Sequence, residues 1–181
     1  GATYCSYDLF EEFSNYEDNT LGTVIDDKVR RHNSVASYGE SYPELSADPS
    51  DPYVYGVTEN PGNQGANIKK YVLGTKKVNG LPVANNSGIN TYMLRLAEVY
   101  LNYVDATMGN SDQTNDPTAL RYFNLIRKRA KVPTKNVVTY EDLRHEFRME
   151  FAFEGLYWFQ LLRRSYSHQQ EVVNYLNNQN R

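Results

Sequence analysis

The sequence has 181 residues, 16 of them tyrosine, and its 19 basic and 22 acidic residues give a net charge of −3. A chain of this length can bury a hydrophobic core, but its charge offers no basic surface for nucleic acid or for an anionic membrane. The sequence contains no apolar run of the roughly 20 residues that a membrane-spanning helix needs. Its single cysteine, Cys5, excludes an intramolecular disulfide.

The first half of the chain, residues 1–88, has the composition of turns and loops. Asp-Pro, Asn-Pro, Asn-Gly and glycine recur in "SADPSDPYVYG", "TENPGNQGAN" and "VNGLPVANNSG". We predict a short helix at 7–16 and a hairpin that pairs 68–74 with 77–83 through the turn Asn79-Gly80. Large aliphatic residues are too few here for a separate core, so we expect this segment to pack on the rest of the chain.

Helical periodicity prevails in the second half, residues 89–181. Predicted helices occupy 91–108, 117–131, 139–164 and 168–180. The first of them confines its polar residues to one stripe, so most of its circumference is expected to be buried. Residues typical of helix ends stand at the boundaries: Gly109, Asp116 with Pro117, Thr139, and Ser167 with Gln170.

Small residues at the contact between the first two predicted helices are typical of a tetratricopeptide unit. The sequence contains one such unit, whereas about three stacked units are needed for stability. Neighbouring units are therefore expected outside this chain, or the loop-rich half replaces them. The predicted fold class is mainly α: a tetratricopeptide-like α-α superhelix scaffold with a loop-rich N-terminal half and few short strands. Segments 1–88 and 89–181 are predicted to form part of a larger single domain.

The stretch "HEFRMEFAFEG" carries three glutamates, Glu146, Glu150 and Glu154, at four-residue spacing. A zinc hydrolase would need His-Glu-x-x-His on this helix, but Met149 occupies the second histidine position. A di-iron site would need Glu-x-x-His on two helices, and the sequence has no such element. A glycosidase pair is not excluded by spacing, although its carboxylates would have to line a wet cleft.

We interpret this carboxylate row as the buried counter-charge of arginines, because the helix is apolar over most of its surface. The basic run "RKRAK", 127–131, is interpreted structurally as well, since cations are favourable at a helix C-terminus. No catalytic residue, metal ligand or cofactor site is predicted, and no nucleic-acid partner. The residues predicted to form structural ion pairs are Arg95, Glu98, Arg127, Arg148, Glu150, Glu154 and Arg163.

Three stretches of the helical half resemble motifs of one known family. "YMLRLAEVYLNYVDA" resembles its "iRlaEvyLiyAEA" helix, and "ALRYFNLIRKRAKVP" resembles its "Al.yiN.iR.RAg.p" helix. "TYEDLRHEFRMEFAFEGLYWFQLLRRS" resembles its "t.edi..Err.ELafEG.rwfDL.R.g" block. On these motifs the chain is identified as a member of the SusD/RagB family. Asp105 stands where the family usually has glutamate, and Gln160 stands where it usually has aspartate, which puts a salt bridge through residue 160 in doubt.

The resemblance implies a nutrient-binding lipoprotein of the bacterial outer membrane. Such proteins sit at the cell surface over a SusC-like TonB-dependent transporter, capture an oligosaccharide or another nutrient, and present it for import without cleaving it. Family members are several hundred residues long and carry a lipid-anchored N-terminal cysteine. This chain is therefore expected to be a C-terminal piece, truncated at both ends, whose parent meets the membrane only through that anchor. The matched motifs are the family scaffold and lend no binding residue.

Sugar capture favours exposed aromatic faces with hydrogen-bonding side chains nearby. Tyr38, Tyr42, Tyr53 and Tyr55 in "SYGESYPELSADPSDPYVYG" are the candidate glycan-binding residues. The alternative for these tyrosines is that they seal the loops onto the helices. For the whole chain, the alternative is a helical-repeat protein–protein interaction module without a small-molecule ligand, and an enzyme of unrecognised type comes third.

Overall fold

Helices provide most of the regular structure in the computed structural model, which describes residues 4–56, 66–72, 90 and 92–178. Within those residues the α-helices are α1 (Tyr7–Asn15), α2 (Lys28–Ser34), α3 (Leu96–Met108), α4 (Pro117–Ala130), α5 (Tyr140–Glu150) and α6 (Tyr157–Asn177). The mainly α fold that the sequence predicts is confirmed. The hairpin predicted around Asn79-Gly80 lies outside the described residues.

Short strands pair two by two and tie the loops together. In the described ranges they are β1 (Tyr16–Asp18), β2 (Thr23–Ile25), β3 (Val35–Ser37), β4 (Ser41–Tyr42), β5 (Tyr53–Val54), β6 (Ala66–Ile68), β7 (Gln113–Thr114) and β8 (Val138–Thr139). All pairs are antiparallel: β1 with β2, β3 with β6, β4 with β5, and β7 with β8. The loop-rich half is therefore held by local ladders and contains no extended sheet among the residues described.

Two helices follow their sequence signals closely. The predictions at 7–16 and 117–131 correspond to α1 and α4 within one residue at each end. Asp116 caps α4, because its carboxylate oxygen accepts hydrogen bonds of 2.9 Å from the backbone amides of Thr118 and Ala119. Lys131, with φ 60, ends α4 in the left-handed conformation.

The start of α3 differs from the prediction. This helix begins at Leu96 and not near residue 91, since Arg95 has the extended backbone angles φ −138 and ψ 158. In that conformation the Arg95 guanidinium reaches the α5–α6 connection, where it contacts Glu150 and Glu154. A tertiary ion pair thus overrides the helical periodicity of the sequence.

The single helix predicted at 139–164 is wrong, because the chain leaves the helix after Glu150 and resumes it at Tyr157. Thr139 does cap α5 as predicted, in a reciprocal capping box with Asp142. In the connection, Phe153 and Gly155 adopt positive φ values of 67 and 78. These angles are incompatible with a continuous right-handed helix. The chain also deviates at His168 (φ −135, ψ 52), which divides α6 at the boundary predicted near Ser167.

The main hydrophobic cluster lies between α3, α4 and α5, where Leu101, Phe123 and Leu143 are fully buried. A second cluster joins the two halves of the chain through Phe13 and Met149. The loop-rich half also forms a small cluster of its own from Ala36, Tyr42, Leu45 and Tyr55. Tyrosine thus takes core positions that aliphatic residues usually occupy.

Candidate functional site

The row of α5 glutamates lies in a buried network of charges. The Glu146 side chain is fully buried, 2.5 Å from Nη1 of Arg30 and 3.1 Å from Nη1 of Arg127. Arg30 also pairs with the buried Asp27, which caps α2. Two guanidinium groups from different parts of the chain therefore share one carboxylate.

A second group of buried charges continues this network. The Lys135 ammonium is completely buried between the carboxylates of Asp18 and Asp142, at 2.6 Å from Asp142. Arg127 links the two groups, because its Nη2 lies 3.6 Å from Asp18. Asp18 and Arg30 belong to the loop-rich half, whereas their partners belong to the helical half. The network therefore crosses the boundary between the segments.

Glu150 and Glu154 share Arg95 as a partner. Arg95 Nη1 lies 2.5 Å from Glu150, and its Nε and Nη2 lie 2.9 and 2.8 Å from the two oxygens of Glu154. Arg129 adds a contact to Glu150, and Lys70 adds one to Glu154. Burial alone would raise the pKa of Glu150, but hydrogen bonds from Arg129 and Arg95 outweigh it and lower that pKa. A carboxylate held ionised by guanidinium groups is a poor proton donor.

The other residues of the predicted ion-pair set lie elsewhere. Arg148 contacts Glu12 and Asp8 of α1, and Arg163 lies 3.3 Å from Asp105. Glu98 is half-buried and forms no ion pair with any residue that the structure describes.

His145 was the residue of the sequence that suggested zinc chemistry. Its ring stacks on Tyr16 with centroids 3.5 Å apart, and its Nδ1 lies 2.8 Å from a carboxylate oxygen of Glu12. Within the described ranges, no group of three or more His, Cys, Asp or Glu residues is arranged to hold a metal ion.

The four candidate tyrosines divide into two exposed and two buried side chains. Tyr38 is 58% exposed and Tyr53 is 44% exposed, whereas Tyr42 is 0% and Tyr55 is 3% exposed. The prediction of glycan contact is therefore corrected for Tyr42 and Tyr55, because a ring stacked on a sugar needs an accessible face. The Tyr42 hydroxyl accepts a 2.6 Å hydrogen bond from the amide of Ser37 and lies 2.8 Å from Glu40, as in a structural core residue.

Tyr38 occupies the tip of a tight turn. The amide of Glu40 donates a 3.1 Å hydrogen bond to the carbonyl of Ser37, and Gly39 supplies the positive φ of 78 that the turn requires. This turn leads into β4, whose pairing with β5 places Tyr53 opposite Tyr42. The structure thus leaves two of the four tyrosines accessible: Tyr38 in the turn before β4 and Tyr53 in β5.

A concave surface that the sequence did not reveal lies around Arg95. Two cavities, of about 290 and 510 Å3, share Tyr92, Arg95 and Glu154 among their lining residues. We call them together the Arg95 cleft. Two exposed tyrosines line it: Tyr92, just before α3, and Tyr71, after β6. The sequence did not distinguish these tyrosines from the buried ones, because exposure is set by the tertiary packing.

Potential hydrogen-bonding groups surround the Arg95 cleft. The Arg129 side chain is largely exposed there despite its contact with Glu150, and Asn33, Lys70 and Glu98 line the same two cavities. Donors and acceptors thus stand next to aromatic faces, as a hydroxyl-rich ligand requires. None of the helices in the described part of the chain combines the length and apolarity needed to cross a membrane.

Comparison with known proteins identifies relatives of the whole chain. The model of the SusD family matches residues 6–181. A SusD-like protein of Bacteroides ovatus (strain ATCC 8483) is 34% identical over 155 residues, which cover 84% of this chain and 27% of the relative.

Solved structures agree with this relationship. One crystal structure, determined with a xylogluco-oligosaccharide, is 30% identical with a TM-score of 0.80, and the match covers 97% of this chain and 33% of that one. A SusD-like protein from Bacteroides fragilis NCTC 9343 has the same fold at 21% identity and a TM-score of 0.59, over 87% of this chain and 35% of that one. This chain thus spans about a third of the length of these relatives. The chain belongs to the SusD family.

Proposed function

We propose that the full-length protein binds an oligosaccharide at the cell surface and does not cleave it. Membership of the SusD family and the relative whose crystal structure was determined with a xylogluco-oligosaccharide support this function. The observation that carries the proposal furthest is the Arg95 cleft, in which Tyr71 and Tyr92 stand beside hydrogen-bonding side chains.

The chemistry of this cleft suits a hydroxyl-rich chain. An exposed tyrosine ring can stack on the apolar face of a pyranose, while its neighbours bind the hydroxyl groups. Arg129 and Asn33 can donate hydrogen bonds to sugar oxygens, and Glu98 can accept them. Tyr38, in the turn before β4, and Tyr53, in β5, remain a second proposed contact.

The proposal also covers the transfer of the bound glycan to a transporter. By resemblance to the family, the parent protein is an outer-membrane lipoprotein that presents its glycan to a SusC-like TonB-dependent transporter. The ion pairs of Glu150 and Glu154 support a binding role, because both carboxylates are engaged by cations and neither is placed as a proton donor.

Affinity gel electrophoresis of the full-length protein tests this function, with polysaccharides that include xyloglucan cast into the gel. We expect retardation by at least one polysaccharide and a marked loss of it in the variant Tyr71→Ala/Tyr92→Ala. Tyr38→Ala/Tyr53→Ala measures the contribution of those two tyrosines. Tyr166→Ala, which removes an exposed tyrosine of α6, is the matched control and should migrate like the unchanged protein.

Two results would contradict the proposal. One is equal retardation of the unchanged protein and both double variants, which would exclude these tyrosines as glycan contacts. The other is the appearance of new reducing ends when the purified protein is incubated with the retarding polysaccharide, since this would reveal a hydrolase.

A further inference from the structure

The connection between α5 and α6, residues 151–156, meets two other segments of the chain at the Arg95 cleft. One segment follows β6 and carries Lys70 and Tyr71, and the other precedes α3 and carries Tyr92 and Arg95. The two segments belong to different halves of the chain. Each of them thus places one exposed tyrosine and one cation beside the same connection.

Glu154 joins these two segments. Its carboxylate accepts hydrogen bonds of 2.9 and 2.8 Å from Nε and Nη2 of Arg95, and it also contacts the ammonium group of Lys70. The Glu154 side chain is 8% exposed, so salt and water screen these contacts less than they would at the surface. The carboxylate is therefore a bridge between a cation of the loop-rich half and a cation of the helical half.

The same two cations cap the end of α5. Nζ of Lys70 lies 3.0 Å from the carbonyl oxygen of Ala152 and 3.4 Å from that of Glu150, and Nη2 of Arg95 donates a 2.6 Å hydrogen bond to the Glu150 carbonyl. The last carbonyls of a helix lack partners within the helix, and cations are favourable at this end. Lys70 and Arg95 are thus held by backbone as well as side-chain oxygens.

The backbone of the connection fixes where the Glu154 carboxylate lies. Phe153, directly before it, has φ 67, a left-handed conformation that is strained for a bulky residue and persists where its surroundings hold it in place. Phe153 is half-buried, packs against the cluster of Phe13 and Met149, and lines the same cavity as both tyrosines. The scaffold thus determines the position of Glu154.

Tyr71 lies close enough to Glu154 to respond to its charge. Burial raises the pKa of the Tyr71 hydroxyl, and the charges of Glu154 and Tyr92 add to this shift while that of Arg95 opposes it. The hydroxyl is therefore within electrostatic range of all three groups. Tyr71 directly follows Lys70, and Tyr92 stands three residues before Arg95. A displacement of either cation is thus expected to displace the tyrosine of the same segment.

We propose that Glu154 is a positioning residue of the Arg95 cleft, which fixes Tyr71 and Tyr92 relative to each other through its bridge to Lys70 and Arg95. This role rests on the glycan-binding function proposed above, and Glu154 itself needs no contact with the glycan. Two rings held at a fixed separation bind a glycan chain without first having to be ordered. The ion pair thereby contributes to affinity at a distance from the sugar.

A comparison of glycan affinity in single and double variants of the full-length protein tests this role. Affinity gels with graded amounts of xyloglucan, or of another polysaccharide that retards the unchanged protein, give the dissociation constants. We expect Glu154→Gln to weaken binding about fivefold, because the two tyrosine-bearing segments are no longer ordered in advance. In a Tyr71→Ala or Tyr92→Ala background, the same substitution should change the affinity less than about twofold.

A structural role alone predicts equal weakening in every background. Glu12→Gln is the matched control, because Glu12 is another largely buried carboxylate paired with an arginine but does not line the cleft. It should lower stability and leave the affinity unchanged when binding is measured well below the thermal midpoint of every variant. If Glu154→Gln does not fold, Lys70→Gln, which breaks the bridge on the side of Tyr71, should show the same weakening and the same dependence on background.

Hydrogen exchange measured by mass spectrometry examines the bridge without any glycan. In Glu154→Gln, the amides of residues 66–72 and 95–99 should exchange faster, whereas those of α4 should exchange as in the unchanged protein. The role of Glu154 is overturned if exchange in both segments is unchanged, or if the polysaccharide binds Glu154→Gln as tightly as the unchanged protein. Equal weakening by Glu154→Gln with and without Tyr71→Ala would also overturn it. If no polysaccharide retards the unchanged protein, the proposed function itself fails and this role fails with it.

Discussion

The carboxylate of Glu146 lies 3.1 Å from the guanidinium of Arg127, and both side chains are fully buried. Because Arg30 shares this carboxylate, Glu146→Gln would remove one counter-charge from two buried cations, leaving Arg30 with Asp27 and Arg127 with the more distant Asp18. We expect a loss of about 3–5 kcal/mol in the free energy of unfolding, measured by chemical denaturation.

Glu141→Gln is the matched control for this substitution. Glu141 pairs with Arg144 on the same helix, but its side chain is half exposed. An exposed pair contributes about 1 kcal/mol or less. Equal losses in the two variants would show that the buried network does not hold the halves of the chain together.

We expect the free energy of unfolding to decrease in acid, in part because the folded state disfavours protonation of Glu12. Burial alone would raise the pKa of Glu12, but the hydrogen bond with His145 and the charge of Arg148 outweigh it and lower this pKa to about 2 from an ordinary 4.5. Above pH 4.5 the carboxylate is ionised in both states and its contribution is complete. Between pH 4.5 and pH 2 only the unfolded state takes up the proton, so this contribution, about 3 kcal/mol, is progressively lost.

Denaturation curves recorded between pH 7 and pH 2 measure this effect. Glu12→Gln should be less stable at pH 7 and should lose less stability on acidification than the unchanged protein. Glu17→Gln, at an exposed position of β1, should retain the full dependence on pH. If the stability of the unchanged protein and of Glu12→Gln depended on pH in the same way, Glu12 would not be the source of the acid sensitivity.

Gly155 has a left-handed backbone conformation, so we expect a side chain at this position to lower the stability of the fold. Its φ is 78, and an added Cβ would meet no atom within 4 Å, so Gly155→Ala tests backbone strain without a steric clash. We expect a destabilisation of about 1 kcal/mol. Gly56→Ala is the control, because Gly56 has no positive φ and ample space, and it should be neutral or slightly stabilising. If thermal or chemical denaturation showed equal effects of Gly155→Ala and Gly56→Ala, backbone strain at residue 155 would be refuted.

Cys5 should be chemically inert in the folded protein. Its thiol is buried against Phe13 and Val35, and burial raises its pKa to about 12, with Arg148 opposing the shift. Since the thiolate is the reactive form, native protein at pH 8 should react very slowly with a disulfide reagent such as DTNB. Protein unfolded in guanidinium chloride should release one equivalent of the coloured thiolate at once. Rapid labelling of the native protein would exclude this environment for Cys5.

The sequence predicted helix ends correctly where the capping residues are close to one another in the chain. The Asp116-Pro117 start of α4 and the capping box at Thr139 are contained in a few consecutive side chains. The break between α5 and α6 was missed, because the residues from Phe151 to Leu156 continue the apolar pattern and include no proline. Similarly, the ion pairs that hold Arg95 in an extended conformation involve residues more than 50 positions away.

The candidate site was less predictable than the scaffold. Composition identified an excess of tyrosine, but the same residue fills the core at Tyr42 and lies exposed at Tyr38, four positions before it. Which tyrosines are accessible is decided by strand pairing and by segments brought together from both halves. The Arg95 cleft, for example, is lined by both Tyr71 and Tyr92, which belong to different halves of the chain.

The charge network that crosses the two halves also constrains how this protein can be recombined or can diverge. Asp18 and Arg30 are contributed by one half, and Lys135, Arg127 and Glu146 by the other, so we expect the loss of a charge in one half to be costly unless its partner changes as well. A chimera that exchanges the loop-rich half with that of a relative would have to carry compatible charges at these positions. The two halves are therefore expected to be exchanged together, even where exposed loops are replaced.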